Sequence, residues 1–326
     1  MTNLVVSSVC NRRCTYCFTL DQAPPGRRFL SLPAFEARLD FLDRSGIDRV
    51  RLLGGEPTLH PRFPELVSLA RRAGKAVTVF SNGLMPAPAL ACLEALPTQD
   101  CTVVVNVTPE TGARTLERQR RTLRRLGKRA MPGLNLYRTD LAPEFLLDLI
   151  AETACRPVAR LSMAHPVLSG RNRFIHPGQY RAIAERIVPL AARAAAAGVR
   201  LELDCGFVRC MFSEAEIEAL QRAEADVGWR CNPILDLDLE GRVLHCLPLA
   251  GLLSLPLAPG AGAEALRAEF EAQVRPYRQA GVYRECSTCT FKAAGDCSGG
   301  CLAATIRRFR RVPFRLDVPP GEGVDA

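Results

Sequence analysis

Aromatic and histidine residues are scarce in this sequence. One tryptophan, five tyrosines and fourteen phenylalanines make up 6% of the 326 residues, and there are four histidines. No zinc-finger, OB-type or alternating aromatic–basic pattern is present, so specific nucleic-acid binding is not indicated. Uncharged apolar runs of about eighteen residues, the length of a membrane span, are also missing. The N-terminus has no basic segment followed by a long apolar run, so no signal peptide is expected and a cytoplasmic location is predicted.

The bulk composition is ordinary for a globular protein, except for its charge. Apolar residues make up 48% and charged residues 24%, and the length suits one large domain with an appendage, or two domains. The net charge of +9 comes largely from two runs of basic residues. These are Arg118, Arg120, Arg121, Arg124, Arg125 and Lys128, and Arg307, Arg308, Arg310 and Arg311. A basic face can meet nucleic acid, an acidic peptide or an anionic small molecule, but a solvated helix face is the simpler interpretation.

Fourteen cysteines are the strongest compositional signal. Reducing conditions disfavour disulfides in a cytoplasm, so cysteines clustered at short spacings indicate metal binding. Cys92, Cys101 and Cys155 stand alone in regular segments and are predicted to be small buried apolar residues. The other eleven form an N-terminal group of three and a C-terminal group of eight.

Apolar β-rich runs alternate with helical patterns in the first half of the chain. The predicted strands are Leu4–Ser8, Arg49–Leu53, Ala76–Ser81, Cys101–Val107, Gly133–Leu136 and Ala159–Ala164. The predicted helices between them are Leu32–Arg44, Phe63–Ala73, Ala87–Ala95, Ala113–Leu126 and Pro143–Thr153. This alternation predicts the α/β class, with a parallel sheet curled into an open, partial barrel whose strand ends share one rim.

The character of the chain changes near residue 200, after a predicted helix at Pro177–Ala197. From Leu201 onward it reads as irregular and rich in Cys, Gly and Pro, with one hairpin over Ile234–Cys246 that turns at Glu240–Gly241. We therefore predict a barrel domain at residues 1–200 and a small irregular cysteine-rich α+β domain at residues 201–326. The tail Pro319–Ala326 is predicted to fray.

Cys10, Cys14 and Cys17 follow the first predicted strand, on a loop at the rim. Three thiolates on one tight loop can bind three irons of a cubane 4Fe–4S cluster. The fourth iron then stays open to a bidentate ligand, such as the amine and carboxylate of an amino acid. Zinc usually needs a fourth Cys or His nearby, and the next histidine is His60, so zinc is the weaker interpretation.

The spacing Cys10-x3-Cys14-x2-Cys17, with Tyr16 before the last cysteine and Phe18 after it, resembles the radical S-adenosylmethionine (SAM) signature. The resemblance covers about residues 1–200 and implies a partial (β/α)6 barrel with SAM as cofactor or cosubstrate. It also implies that one-electron reduction of the cluster cleaves SAM to a 5′-deoxyadenosyl radical, which abstracts hydrogen from a substrate. Tyr16 is included among the residues expected to contact the cofactor.

A second element, Gly54, Gly55, Glu56 and Pro57, follows the second predicted strand. Glycines there let a ligand approach the backbone, and Glu56 can accept a hydrogen bond from an ammonium, although a plain turn is the alternative. The segment resembles the one that binds the methionine amine in radical SAM enzymes. By the same resemblance, rim residues reach the ribose or carboxylate of the cofactor: Ser81, Asn106, Arg118 and, as a weaker candidate, Asn135.

The C-terminal group has eight cysteines, the number that two cubanes need. They are Cys205, Cys210, Cys231, Cys246, Cys286, Cys289, Cys297 and Cys301. The last six, with Gly241, follow the order of the SPASM extension of radical SAM enzymes, which resembles this region and carries auxiliary 4Fe–4S clusters. Four-cysteine structural zinc is the alternative. Two features depart from SPASM: the long gap between Cys289 and Cys297, and the lack of a cysteine after Cys301 as the customary last ligand.

The resemblance implies two possible wirings. In the SPASM wiring, three cysteines share the nearer cluster with Cys205 or Cys210, and three others hold an outer cluster whose fourth ligand is not identified. Those sets are Cys231, Cys246 and Cys301, and Cys286, Cys289 and Cys297. In the shorter "twitch" wiring, a single cluster is held by Cys231, Cys246, Cys286 and Cys289. Spacing does not choose between them, and two clusters are favoured.

The SPASM resemblance favours a maturase that acts on a peptide or protein. It implies an external electron donor such as flavodoxin or ferredoxin. Because the triad begins at residue 10, a separate leader-recognition protein, or direct binding of a short substrate, is a further expectation. The alternatives are oxidation or rearrangement of a small metabolite, and a non-catalytic zinc scaffold that binds RNA. A molybdopterin-type radical SAM cyclase is not favoured because its C-terminal cysteine spacing and Gly-Gly terminus are missing. A sulfatase maturase is less favoured because Leu247, not aspartate, follows Cys246.

Several acid–base candidates lie near the predicted clusters, but the sequence singles out no catalytic residue among them. They are Asp204, Asp236, Asp238, His245, Tyr283, His165 and His176. Each is more often a surface or packing residue than a catalyst.

Overall fold

The structure is a computed structural model that describes residues 2–19, 29–168 and 172–309. The predicted frayed tail, Pro319–Ala326, and two arginines of the second basic run, Arg310 and Arg311, lie outside the described residues. No helix in the described ranges combines the length and apolarity that crossing a bilayer requires.

Eleven strands and ten α-helices make up the described chain. The strands are β1 Asn3–Ser7, β2 Arg49–Gly54, β3 Ala76–Ser81, β4 Cys101–Asn106, β5 Ala130–Leu136, β6 Val158–Met163, β7 Arg200–Leu203, β8 Asp226–Val227, β9 Asp236–Leu237, β10 Arg242–Leu244 and β11 Ser254–Pro256. The helices are α1 Leu32–Arg44, α2 Phe63–Arg72, α3 Ala87–Glu94, α4 Ala113–Leu126, α5 Phe145–Thr153, α6 Tyr180–Ala196, α7 Glu214–Arg222, α8 Ala263–Ala280, α9 Thr290–Ala293 and α10 Leu302–Phe309.

The strands form one continuous sheet. Its order is β11-β10-β9-β1-β2-β3-β4-β5-β6-β7-β8. All pairs from β1 to β8 are parallel, β9 joins β1 in parallel, and β10 is antiparallel to both β9 and β11. Parallel pairing brings the carboxyl ends of β1 to β7 to one edge, where the site loops lie. The predicted α/β class with a parallel, partial-barrel sheet is confirmed.

The elements form where the hydrophobic period predicts them. In α1, Phe35, Leu39 and Leu42 recur at helical spacing and are buried, and the Ser31 hydroxyl caps the helix by accepting from the Ala34 amide at 3.4 Å. The central strand β4 is a nearly unbroken apolar run, as expected for a strand covered on both faces. Cys101 and Cys155 are buried and Cys92 is half-buried.

One expectation is corrected. The chain after Leu201 is not irregular throughout, because β7 spans this point and α7 and α8 follow it. Strand β7 pairs with β6 in the register Val158↔Arg200 to Leu161↔Leu203, so the sheet continues across residue 200. The predicted hairpin is present as β9 and β10, with Gly241 at its turn in the left-handed region at φ +84°. The division into domains at residue 200 stays a prediction.

Candidate functional site

The N-terminal triad lies on the loop that leaves β1. The Cys17 amide donates to the Cys14 carbonyl at 3.1 Å, which closes a turn between these two ligand candidates. The Cys10 sulfur accepts from the Arg12 amide at 3.4 Å and from the Asn82 side chain at 3.7 Å. The loop is therefore fixed both internally and by the end of β3.

The three thiols of the triad are electrostatic neighbours. Burial raises the pKa of Cys10, and the charges of Glu56, Cys14 and Cys17 raise it further, against the amide of Arg12. Burial likewise raises the pKa of Cys14, whereas the Arg12 guanidinium lowers it. Each thiolate makes it less favourable for its neighbours to carry a negative charge. A cationic iron centre removes this penalty when it binds, so the arrangement suits such a centre.

The glycine pair after β2 is required by the chain itself. A Cβ on Gly54 would lie 2.1 Å from the Ser7 carbonyl oxygen, and Gly54 has φ +150°. A Cβ on Gly55 would lie 2.4 Å from the Val9 carbonyl oxygen. The Gly55 and Glu56 amides donate to these same carbonyls, at 2.7 and 2.8 Å. Because Gly54 and Gly55 have no side chains, the triad loop can pack closely against them. The sequence had suggested that these glycines let a ligand approach.

Glu56 is completely buried beside the triad. Its Oε1 accepts from the Thr58 amide and hydroxyl at 3.2 and 2.5 Å and from the Ser81 hydroxyl at 2.9 Å. Its Oε2 accepts only the Asn82 amide, at 2.7 Å, among the bonds of the described chain. Burial raises the pKa of Glu56, and these donors oppose the rise. The free acceptor capacity of Glu56 is therefore concentrated on Oε2.

The other predicted cofactor contacts occupy different positions. Pro57 is buried at the start of a 3-10 turn, Pro57–Leu59. The Ser81 hydroxyl is engaged with Glu56 and the Gly83 amide. Asn106, at the end of β4, has a buried Oδ1 without a hydrogen-bond partner in the described chain. Arg118 lies on the exposed side of α4.

An aromatic pair lies at the same edge of the sheet. Tyr16 stacks on Tyr137, which follows β5, with ring centroids 4.7 Å apart and an interplanar angle of 23°. Tyr137 donates its hydroxyl proton to Glu110, and Arg138 pairs with the same carboxylate at 2.6 Å. Burial raises the pKa of Tyr16, as does the neighbouring Cys14 charge, while Asn135 lowers it through a hydrogen bond.

Four of the eight C-terminal cysteines are electrostatic neighbours beside β7. We call Cys205, Cys231, Cys246 and Cys301 the first quartet. Burial raises the pKa of Cys205, and the nearby charges of Cys231 and Cys301 raise it further. Burial also holds the pKa of Cys246 well above its usual range, with Cys231, Cys301 and Cys205 all contributing. Cys205 is accessible to solvent although much protein surrounds it.

The remaining four cysteines line one open cavity. Cys210, Cys286, Cys289 and Cys297, the second quartet, share it with Tyr283, Phe291 and Lys292. Burial raises the pKa of Cys210 to about 11, and the charges of Cys286, Cys297 and Cys289 add to the effect. Gly281 makes room for one ligand candidate, since a Cβ there would lie 2.4 Å from that of Cys286.

The two quartets are joined by two short pieces of chain. Cys205 and Cys210 are five positions apart and belong to different quartets, and the same holds for Cys297 and Cys301, four positions apart. A 3-10 turn, Arg209–Met211, redirects the chain between the first two. At a maximum of about 3.6 Å per residue, the second link keeps its two ends within about 14 Å.

The residues fit iron–sulfur clusters by the chemistry of their donors. Among residues 2–19, 29–168 and 172–309, no three His, Cys, Asp or Glu side chains meet closely enough to hold a single metal ion. In a cubane each thiolate binds a separate iron, so its ligands surround a volume and need not converge on a point. The open cavity of the second quartet has this character.

Most acid–base candidates have structural partners. Asp204 pairs with Arg160, and the Tyr283 hydroxyl donates to the Pro177 carbonyl at 2.6 Å. Asp238 accepts from the amides of Glu240 and Arg242 at 2.9 Å, which shapes the hairpin turn. Asp236 is bonded to Asn3 and the Leu247 amide, and His176 caps a turn. His245 is buried against Phe270, with neither ring nitrogen hydrogen-bonded within the described chain, and His165 lies beside Cys205.

Comparison with known families gives the class. Residues 4–138 match the profile of the Radical SAM superfamily. This segment contains the triad, the glycine pair and Glu56. This part of the chain is therefore a Radical SAM domain, and the resemblance that the sequence predicted is confirmed for it.

Individual relatives add detail to this class. The N-terminal part of the chain is 37% identical over 84 residues to GTP 3′,8-cyclase of Chlorobaculum tepidum. The aligned segment covers 25% of this chain and 25% of the cyclase. The chain thus spans about a quarter of the length of the curated relatives that it matches.

Two solved structures resemble most of the chain. The first is SuiB of Streptococcus suis bound to precursor peptide SuiA (TM-score 0.67, 15% identity, 94% of this chain and 72% of that one). The second is anSMEcpe with bound AdoMet (TM-score 0.66, 16% identity, 92% and 88%). At these identities the likeness establishes the fold, including its C-terminal extension.

The structure also brings forward residues that sequence reasoning missed. Arg12 lies within the triad loop and donates to the Thr111 hydroxyl at 3.0 Å. Gln119 is buried in α4 and donates to the Asn82 and Asn106 carbonyls at 2.7 and 3.2 Å. The signal for Gln119 was available, because it precedes the buried Leu123 and Leu126 on one helix face. The signal for Arg12 was not, since it looks like one more surface arginine.

Proposed function

We propose that the protein is a radical SAM oxidoreductase that modifies a peptide or protein, with three iron–sulfur sites. Cys10, Cys14 and Cys17 hold the SAM-binding cluster, and the first and second quartets each hold an auxiliary cluster. The observation that supports this most is the division of the eight C-terminal cysteines into two complete sets of four. It favours the two-cluster wiring, and it offers Cys210 as the fourth ligand that the sequence pattern lacked.

The chain's own residues define what the SAM site can do. When bound, the reduced cluster supplies the electron that cleaves SAM to a 5′-deoxyadenosyl radical. The Oδ1 of Asn106 is a buried acceptor suited to a cofactor hydroxyl or amine. Oε2 of Glu56 is a second acceptor, and the Tyr16–Tyr137 stack forms an apolar wall that helps exclude water.

Complete thiolate ligation indicates the role of the auxiliary sites. Four cysteines per cubane leave no iron without a protein ligand, so neither quartet offers an open position for substrate. Both sites then suit the acceptance of one electron from a substrate radical, which gives net oxidation of the substrate. The electron leaves through an external one-electron carrier such as a ferredoxin or flavodoxin, which also supplies the reducing electron for SAM cleavage.

A peptide substrate is supported by the fold. The likeness to SuiB with peptide SuiA, and to anSMEcpe with bound peptides, covers more than nine-tenths of this chain. A separate leader-recognition protein and a cytoplasmic location remain part of the proposal. Small-metabolite chemistry is the second candidate, because the GTP 3′,8-cyclase relatives are similar in the N-terminal part.

Anaerobic reconstitution with iron counting and a 5′-deoxyadenosine assay tests the class of chemistry. We expect a brown protein with about twelve irons, four per cubane. Simultaneous replacement of Cys10, Cys14 and Cys17 by alanine should remove about four irons and abolish 5′-deoxyadenosine. A colourless protein that binds zinc instead would refute the proposal and support the scaffold alternative.

A matched pair of single variants tests the wiring. Cys205→Ala and Cys210→Ala are close in sequence but remove one ligand from different quartets. Each variant should perturb the electron paramagnetic resonance (EPR) signal of one auxiliary cluster and leave the other unchanged. If both variants perturb the same signal, the division into quartets is wrong.

Mass spectrometry of reaction products tests the substrate class. Incubation with a short peptide encoded beside the enzyme should yield a product about two mass units lighter, since net oxidation removes two hydrogens. Turnover of a nucleotide or sugar, with every such peptide left unchanged, would favour the small-metabolite alternative.

A further inference from the structure

One side of the sheet carries arginines where the other side packs into the main core. In β2, Val50 and Leu52 are fully buried in that core, and Arg49 and Arg51 alternate with them on the opposite side. Arg160 has the same placement in β6, since the residues before and after it are buried in the main core. We call the side of the sheet that carries these three arginines the inner face.

Side chains of distant strands meet on the inner face. Val104, Met131 and Val158, with Phe80 packed against them, form an apolar cluster that is separate from the main core. The guanidinium carbon of Arg160 lies 5.4 Å from the centroid of the Phe80 ring, although β4 and β5 lie between their two strands. Three strand spacings are about 14 Å in a flat sheet, so these two side chains meet over β4 and β5.

Arg51 approaches the same ring from β2. It pairs in register with Thr78, and Phe80 is the next inner-face residue of β3. A strand spacing of about 4.8 Å and a rise of about 3.3 Å per residue put the Cα atoms of Arg51 and Phe80 about 8 Å apart, which a long side chain spans. The guanidinium groups of Arg51 and Arg160 therefore reach one region of the inner face, beside Phe80.

The carboxylates near this region already have partners. Glu202 and the adjoining Asp204 alternate with buried core residues of β7. Asp204 pairs with Arg160, whose side chain is 15% exposed, and Glu202 pairs with Arg200. Asp236, in β9, accepts hydrogen bonds from an asparagine side chain and a backbone amide. All three carboxylates thus have partners other than Arg51.

Arg51 makes no hydrogen bond or ion pair within the described chain, although it is half-buried. Its neighbour Arg49 donates to the Thr78 hydroxyl at 3.4 Å and has no carboxylate partner there either. Burial lowers the pKa of Arg51, and the charges of Arg160 and Arg49 lower it further, against Asp204. A half-buried guanidinium without a partner is costly, so this region is suited to an anion from outside the described chain.

The region lies close to the proposed SAM site. Asn106, Gly133 and Arg160 are in register across β4, β5 and β6, so the Cα atoms of Asn106 and Arg160 are two strand spacings apart, about 10 Å. Gly133 has no side chain, and a Cβ there would lie 3.0 Å from Oδ1 of Asn106. At this level no side chain of β5 separates Asn106 from Arg160.

We propose that Arg51 and Arg160 form a subsite on the inner face that binds a carboxylate of the substrate and so positions the substrate beside SAM. The inference rests on the proposed function, because it needs a peptide substrate. A guanidinium binds a carboxylate through two parallel hydrogen bonds, and Phe80 offers an apolar surface to the adjoining methylene groups. A triphosphate brings several negative charges, more than Arg49 and Arg51 balance, so a carboxylate is favoured. Its source is an acidic side chain or the C-terminus of the peptide.

Calorimetry on the reconstituted full chain with SAM tests the ligand chemistry. The probes are N-acetyl-Gly-Glu-Gly amide, its Gln counterpart, N-acetyl-Gly-Gly-Gly with a free C-terminus, and GTP. We expect one carboxylate probe to bind about tenfold more tightly than the Gln peptide, and the better of the two identifies the source. Equal binding of carboxylate and Gln probes, or no binding at millimolar concentration, overturns the inference. Tighter binding of GTP than of either carboxylate overturns it in favour of phosphate.

Variants of the same protein test the residues. Arg51→Gln should remove the preference for carboxylate without lowering the free energy of unfolding in urea, because Arg51 has no partner to lose in the described chain. Arg51→Lys keeps the charge but not the planar fork, so it should keep part of the preference. Arg193→Gln is the control, because it removes an equal charge from an exposed position of α6.

A folded Arg51→Gln protein with the full preference overturns the inference, as does loss of the preference in Arg193→Gln. If Arg51→Gln does not fold, Arg51→Lys decides, and an undiminished preference there overturns the inference. Failure of the proposed function is distinct, since the parent protein would then bind no iron and form no 5′-deoxyadenosine, whatever its preference among the probes.

Discussion

Gly55 offers a direct test of how the chain holds the triad. Replacing it by alanine puts a Cβ 2.4 Å from the Val9 carbonyl oxygen, 2.7 Å from the Val9 carbonyl carbon and 3.1 Å from the Cys10 Cβ. Such contacts are not tolerated below about 3.0 Å, so the loop must retreat by about 0.6 Å at least. That carbonyl also accepts the Glu56 amide at 2.8 Å, so the retreat weakens this bond.

The expected loss of stability follows from these two effects. Overpacking of this kind costs about 1–3 kcal/mol, and a weakened hydrogen bond adds about 1 kcal/mol. We therefore expect Gly55→Ala to lower the free energy of unfolding by about 2–4 kcal/mol. The shift also moves Cys10, so we expect the variant to lose about four of its irons, those of the triad cluster.

Urea unfolding and iron counting on the anaerobically reconstituted protein measure both effects. Gly112→Ala is the matched control, because a Cβ there meets nothing within 4 Å and the change should cost less than about 1 kcal/mol. If Gly55→Ala retains the stability and the iron of the control, the triad loop does not depend on this close approach.

The remaining predictions concern α7, SAM binding and metal removal. Arg181 and the capping box with Ser213 hold the pKa of Glu216 at about 2, below its ordinary 4.5. These contacts stabilise the fold by about 1 kcal/mol after solvent screening. This stabilisation should be present above pH 4.5 and lost as the pH falls through about 2. Ser213→Ala should reduce it, as measured by urea unfolding at pH 7. Asn106→Ala should weaken SAM binding about tenfold by calorimetry without loss of iron, and equal affinity would exclude Asn106 from the site. Iron chelation should lower the melting temperature of the parent more than that of Cys205→Ala, which has one cluster less to lose.

Most of the first half of the fold could be predicted because its periodicity is unambiguous. Helix α4 has the predicted bounds, Ala113–Leu126, and strand β3 has the predicted bounds, Ala76–Ser81. Strand β7 was missed because its four residues contain only two inward apolar positions, Leu201 and Leu203, before a cysteine interrupts the pattern. Strand β7 is established by its pairing with β6, which no local sequence pattern encodes.

The candidate site likewise has parts that the sequence predicts and parts that it does not. The triad follows from spacing alone, because its three cysteines lie on one loop. The assignment of Cys205 and Cys210 to different quartets does not, because it depends on a turn between them and on partners far along the chain.

The two short links between the quartets have a consequence for assembly. When metal fills one quartet, it orders a segment of chain that also contains a ligand of the other quartet, such as Cys210 or Cys297. The conformational entropy lost in the first loading step is therefore not lost again in the second. We expect the filling of one quartet to speed the filling of the other in the parent protein, while a variant that lacks one site still fills the other.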